Sequence, residues 1–105
     1  MVSSPLNVKL MQFLHHSPTP FHAVANLSGM LESADFERLS ESEHWNLEKG
    51  KGYFVVRNDS ALIAFRGGSG NIVADGFRVT GSHTDSPALK IKPLPTMMNK
   101  GYVQL

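Results

Sequence analysis

Along residues 5–16, PLNVKLMQFLHH, apolar side chains fall at Leu6, Leu10, Phe13 and Leu14, with Val8 and Met11 beside them. The i, i+4, i+7, i+8 spacing marks one face of an amphipathic helix. Ser4 before Pro5 supplies a cap and a first-turn proline. SPTP at 17–20 ends this helix, because closely spaced prolines cannot continue it. A second helix is predicted to start there, with Thr19 as its cap and Pro20 in its first position. Phe21, Val24, Leu27, Leu31 and Ala34 form its stripe, with Ala23 and Met30 at the margins. Gly29 lowers helix propensity by ~1 kcal/mol relative to Ala without having to end the helix. Both helices are expected to pack against a sheet.

The period then changes. FERLSESEHWNL at 36–47 holds a short strand and a polar link, and KGKGYFVVRN at 49–58 runs into a β-rich stretch from Tyr53 to Val56. ALIAFRG at 61–67 follows after the turn residues NDS, so the pair is predicted to form an antiparallel hairpin. GGSG at 67–70 reads as a loop. It is not a phosphate cradle, because no Walker lysine follows and the dinucleotide spacing is missing. Residues 77–80 read as a strand, and ALKIKPLP at 88–95 contains an edge-like one, with Leu89, Ile91 and Leu94 set against Lys90 and Lys92. The closing GYVQL also has strand character. Helices followed by strands predict an α/β layer fold. A new apolar run opening after MMNKG reads as the front piece of a longer protein.

Composition narrows the function classes. The chain has 105 residues, enough for at most one domain. Ten basic against nine acidic residues leave a formal charge of +1. This gives no electrostatic case for nucleic acid or an anionic membrane as partner. The sequence has no cysteine, which removes disulfides, thiolate zinc sites and thiol catalysis. No apolar run approaches the ~18 residues of a membrane span, and MVSSPLNVKL lacks the basic and apolar regions of a signal peptide. A cytoplasmic location is the expectation.

The candidate chemistry lies in GFRVTGSHTDSPALKIKP at 76–93. His83 is expected just past the carboxyl end of a strand, where ligands collect in open α/β sheets. One imidazole nitrogen can bind a metal while the other needs an acceptor to fix the tautomer, and Asp85 is close enough to supply it. Thr84 and Ser86 can satisfy backbone groups of the loop, and Pro87 keeps Ser86 extended. A His-x-Asp pair alone fits a surface turn as well as a ligand pair. His15, His16, His22 and His44 form no local ligand set. His15 and His16 suit a helix carboxyl end, where the dipole favours a cation, and His22 in the second helix reads as an interface or core residue.

GSHTDSPALKIKP resembles the first metal motif of the M18 aminopeptidases, the aspartyl aminopeptidase-like family of zinc exopeptidases. SPTPFHAVANL resembles the family's amino-terminal signature, and FERLSESEHWNLEKGKGYFVVRNDSALIAFR its intervening segment, so the resemblance covers nearly the whole chain and is strongest to the bacterial branch. It implies a mixed-sheet catalytic domain flanked by helices, occupying residues 1–95 here, with 96–105 entering an inserted dimerisation domain. It also implies two zinc ions per complete active site, with other divalent metals able to serve, and peptide substrates that lose their amino-terminal residues. Aspartyl members prefer acidic residues and others neutral ones. Assembly into homo-oligomers, commonly dodecamers, is implied as well.

Carried over by motif, His83 matches a metal ligand, and Asp85 matches the acidic residue that supports it in catalysis. His22 falls in the upstream signature without a mechanistic role. The family's bridging Asp, general-base Glu and remaining ligands have no counterpart in these residues, so the isolated chain is expected to be inactive. The alternative is a truncated, non-catalytic protein acting by association with full-length subunits. A small α/β fold with a chance His-x-Asp would account for the composition but not for two signatures in order.

Overall fold

The computed structural model of the protein describes residues 4–104. Residues 1–3 and 105, which include the start of the amino-terminal run and the last residue of GYVQL, lie outside the described residues. The first amphipathic run forms helix α1 (Pro5–His15). Ser4 stands at its amino end with φ −54° and ψ 141° but makes no side-chain capping bond. At the other end the ring of His16 bonds the carbonyl of Gln12 at 2.7 Å. A carbonyl only accepts, so Nδ1 carries the hydrogen and satisfies a terminal helix carbonyl.

Helix α2 (Pro20–Glu32) starts as the sequence predicts, with Thr19 in extended backbone accepting from the His22 N–H. Its buried residues are Ala23, Val24 and Ser28, while Leu27 and Leu31 are half-buried. The buried face is therefore rotated from the expected stripe, for Phe21 is exposed and Ala34 lies beyond the helix. Ser28 can be buried because its hydroxyl donates to the Val24 carbonyl at 2.8 Å. Among the described helices α2 packs on the sheet, and α1 packs on α2. The expectation that both helices lie on the sheet is thus corrected for α1, none of whose residues is buried. The Asn26 amide braces the two helices, donating to the His16 carbonyl at 2.9 Å and to the Ser17 hydroxyl at 3.0 Å.

Strands β1 (Phe36–Leu39), β2 (Gly52–Arg57) and β3 (Ala61–Arg66) form a mixed sheet in that order. β1 runs parallel to β2, and β2 pairs antiparallel with β3 in the predicted hairpin, from Gly52 opposite Arg66 to Arg57 opposite Ala61. Asn58 and Asp59, both at φ 51°, turn the hairpin; these residue types tolerate the left-handed region better than most. β2 is central and carries the core. Phe54 is fully buried, Tyr53 and Val55 nearly so, and α2 covers one face of the sheet.

The other face is covered by the parallel crossover itself. Trp45 in that link stacks on Phe65 with ring centroids 6.3 Å apart, and Phe65 lies 5.7 Å from Tyr53 across the strands. The Tyr53 hydroxyl accepts from the Glu48 N–H at 2.8 Å, and Trp45 Nε1 donates to the Ser40 carbonyl at 2.6 Å. A link that reads as polar in sequence thus supplies the lid of the second face. Lys51 pairs with Glu37 at 2.6 Å along the same face, and their contact raises the lysine pKa, chiefly through the hydrogen bond.

Beyond β3 come a short helix α3 (Ile72–Asp75) and a small hairpin of β4 (Met97–Asn99) and β5 (Tyr102–Gln104). Lys100 at φ 47° and Gly101 at φ 82° give its turn two left-handed residues, the geometry that suits a tight hairpin. Residues 77–80 and 89–94 form no strand, correcting both sequence expectations. Their apolar pattern is compatible with strands, but a strand also needs a neighbour to complete its backbone hydrogen bonds. No strand of the described residues pairs with them. Phe77, Val79, Leu89 and Ile91 are all exposed. The Cα radius of gyration is 19.9 Å, where a compact chain of this length has ~13 Å. No described helix is long and apolar enough to cross a membrane.

Candidate metal centre

His83 lies on irregular backbone rather than just past a strand end, because residues 77–80 pair with nothing among the described residues. The chain bends at Thr84, between His83 and Asp85. At this bend His83 Nδ1 comes 2.7 Å from the backbone oxygen of Asp85 and 3.4 Å from its carboxylate Oδ1. The shorter contact is a hydrogen bond, whereas 3.4 Å exceeds the usual N–H···O range. Asp85 is therefore the partner of His83, and its main-chain carbonyl makes the bond with the carboxylate alongside. Because that carbonyl can only accept, Nδ1 is the donor. In the neutral ring Nε2 then keeps the lone pair.

Both side chains are open to water, 78% exposed for His83 and 82% for Asp85. Their electrostatic attraction is consequently screened and weak. The loop is anchored through the residue between them: Thr84 Oγ1 donates to the Ser60 carbonyl in the β2–β3 turn at 2.8 Å. Thr84 satisfies a backbone group as the sequence predicts, but that group lies 24 residues away, which no local pattern encodes.

The other histidines do not converge on this loop. His22 is exposed at the start of α2, where its Nδ1 is 2.7 Å from the Thr19 hydroxyl. That hydroxyl also accepts from the His22 backbone N–H at 3.3 Å. His22 thus belongs to an exposed capping arrangement and is not a core residue. His15 and His16 sit at the carboxyl end of α1, as expected, with their rings edge to face at 5.3 Å. Among the described residues no group of three or more His, Cys, Asp or Glu could hold a metal ion.

A zinc ion in a catalytic site takes about three protein ligands and a water. The described residues fit it in part: His83 offers one donor nitrogen on a ring already oriented through the other. A groove at the end of β1 between Arg38, Glu41, Glu43 and Arg57 is not a metal site, because Arg57 grips Glu41. Its Nε lies 3.0 and 3.2 Å from the two carboxylate oxygens and its Nη2 2.7 Å from one of them. That hydrogen bonding holds the Glu41 carboxyl below its ordinary pKa and raises that of Arg57.

Residues 13–105 match the family described as aminopeptidase I zinc metalloprotease (M18). The chain belongs to the M18 family. It is 50% identical over 100 residues to a probable M18 family aminopeptidase 2 of Pseudomonas paraeruginosa, covering 95% of this chain and 23% of that protein. The protein of the same name from Pseudomonas putida is 47% identical over 100 residues, with the same coverage of each chain. A chain in a cryo-EM structure of the Ape4 and Nbr1 complex superposes with a TM-score of 0.80 at 41% identity, covering 93% of this chain and 19% of that one. The chain thus spans about a quarter of the length of the two Pseudomonas relatives. The α/β arrangement of helices followed by a mixed sheet is the one the M18 resemblance implies.

Proposed function

We propose that this chain is the amino-terminal part of the catalytic domain of a zinc aminopeptidase, which removes amino-terminal residues from peptides. The observation that carries the reading is the His83 ring, hydrogen-bonded through Nδ1 to Asp85 and open at Nε2, within the stretch matched by the M18 family. In the proposal His83 is a zinc ligand through Nε2. Asp85 is the supporting residue: its carbonyl fixes the tautomer, and its carboxylate offsets charge on the imidazole. Zinc, when bound, would polarise the peptide carbonyl and lower the pKa of a bound water. The reading includes two zinc ions per complete site, a general base and further ligands on polypeptide beyond this stretch, and a cytoplasmic homo-oligomer, up to a dodecamer. It assigns residues 1–95 to the catalytic domain and 96–105, with the β4–β5 hairpin, to the entry of an inserted dimerisation domain.

A second reading has its own observation. Leu6, Leu10, Met11 and Leu14 are exposed on α1, and Phe77, Val79, Leu89 and Ile91 are exposed near the His83 loop. A non-catalytic chain associating with full-length subunits would cover such apolar side chains. The two are separated by assaying the native protein on a panel of amino-terminal aminoacyl substrates, acidic and neutral, alongside the His83→Ala variant. Zinc-dependent release that is lost in His83→Ala supports the aminopeptidase. Release by the native protein that His83→Ala leaves unchanged overturns the ligand role, and no release from any substrate favours association.

A further inference from the structure

We propose that Thr84 is a positioning residue that presents His83 and Asp85 outward by tying their loop to the β2–β3 turn; this rests on the reading of His83 as a zinc ligand. Between Val73 and Leu94, Thr84 is the one half-buried residue among the described residues, and the others are exposed. Its hydroxyl bond to the half-buried Ser60 is the one hydrogen bond among the described residues that joins residues 76–104 to the helix-and-sheet unit. The acceptor is well placed to hold a loop. Ser60 closes the turn set by the left-handed Asn58 and Asp59, and its own N–H donates to the Arg57 carbonyl at 3.2 Å. The chain bends at the tethered residue, and across that bend His83 Nδ1 meets the Asp85 carbonyl.

The physical consequence concerns the imidazole. A free neutral imidazole favours hydrogen on Nε2, which would remove the lone pair a metal needs. The bend held by Thr84 keeps the hydrogen on Nδ1 and leaves Nε2 available. Thr84 therefore acts through the conformation of its neighbours and touches neither metal nor substrate. A serine retains the hydroxyl, whereas a valine keeps the shape and loses the donor.

The test is nitrogen NMR of the histidine-labelled 105-residue chain, in alkaline solution where the imidazole is neutral. It compares the native sequence with Thr84→Val and Thr84→Ser, all without metal. Native protein and Thr84→Ser should show His83 protonated on Nδ1, and Thr84→Val should show the hydrogen moved predominantly to Nε2. Backbone amide shifts of β2 and β3 should stay unchanged, separating loss of the tether from loss of the fold. A Thr84→Val spectrum with the native tautomer overturns the inference, as does a Thr84→Ser spectrum that resembles Thr84→Val. The zinc content of the native subunit reports separately on the underlying reading, falling in His83→Ala if His83 is a ligand. A tautomer that follows the Thr84 hydroxyl while His83→Ala leaves that zinc content unchanged supports the tether and overturns the ligand role of His83.

Discussion

Phe36 on β1 occupies the space that a side chain on Gly52, its directly paired neighbour on β2, would need: a Cβ there would lie 2.6 Å from the ring. The Arg66 guanidinium, from the next strand in the same register row, stands over the Phe36 ring at 5.0 Å from its centroid. Gly52 opens β2, and close approach by a neighbour is a reason to keep a glycine in a strand. Gly52→Ala is expected to destabilise the protein by ~1–3 kcal/mol through overpacking. Gly29, with nothing within 4 Å of its would-be Cβ, is the contrast. Gly29→Ala should stabilise by up to ~1 kcal/mol through helix propensity. Urea denaturation of both variants checks the pair, and equal effects of either sign would contradict the packing account.

Phe54 is fully buried at the centre of the sheet. Phe54→Ala is expected to cost ~3–5 kcal/mol, the usual range for deleting a buried aromatic ring. Little else is buried among the described residues, so this substitution should unfold much of the population, as read by loss of the near-ultraviolet circular dichroism signal. A native-like spectrum and urea midpoint would remove Phe54 from the core.

The Tyr53 hydroxyl ties down the crossover by accepting from Glu48. Tyr53→Phe keeps the ring but leaves that N–H without its partner, so a loss of ~1 kcal/mol is expected. Trp45, stacked on Phe65, should report the change by fluorescence. Loosening of the link should precede unfolding of the hairpin in urea, whereas superimposable native and variant curves would contradict the role given to the hydroxyl.

The Glu41–Arg57 pair predicts a sign in pH. Hydrogen bonding to Arg57 depresses the folded-state pKa of Glu41, so the folded protein binds fewer protons than the unfolded chain through the acid range. The stabilisation is fully present above the unfolded carboxylate pKa and lost as pH falls through the lowered one. Both groups are at the surface, so the effect is small and salt reduces it. Urea midpoints of the native protein and Arg57→Met should differ most above the ordinary carboxylate range and converge in strong acid. A gap that stays constant down the acid range would contradict the assignment.

The helices and the β2–β3 hairpin were legible because their signals are local. Pro5 and Pro20 mark helix starts, and NDS separates two β-rich runs. The parallel pairing of β1 with β2 and the seating of Trp45 on Phe65 bring together residues far apart in sequence, and neither periodicity nor turn chemistry encodes such contacts. Residues 77–80 and 89–94 fail as strands for the complementary reason: their pattern permits a strand, but pairing depends on what lies beside them. In the candidate site His83 and Asp85 were readable from spacing. That Asp85 bonds His83 through its main chain, and that Thr84 fastens the loop to Ser60, depend on the bend and the turn that the fold brings together.

The central claim is that this chain carries one ligand and its support from a larger zinc aminopeptidase site. The most direct measurement is the intact mass of the native subunit together with its zinc content. The account predicts a subunit well above the 11.5 kDa of this chain, with about two zinc ions that fall away in His83→Ala. A native subunit of 11.5 kDa without stoichiometric metal, or a larger one whose zinc is indifferent to His83, would contradict it.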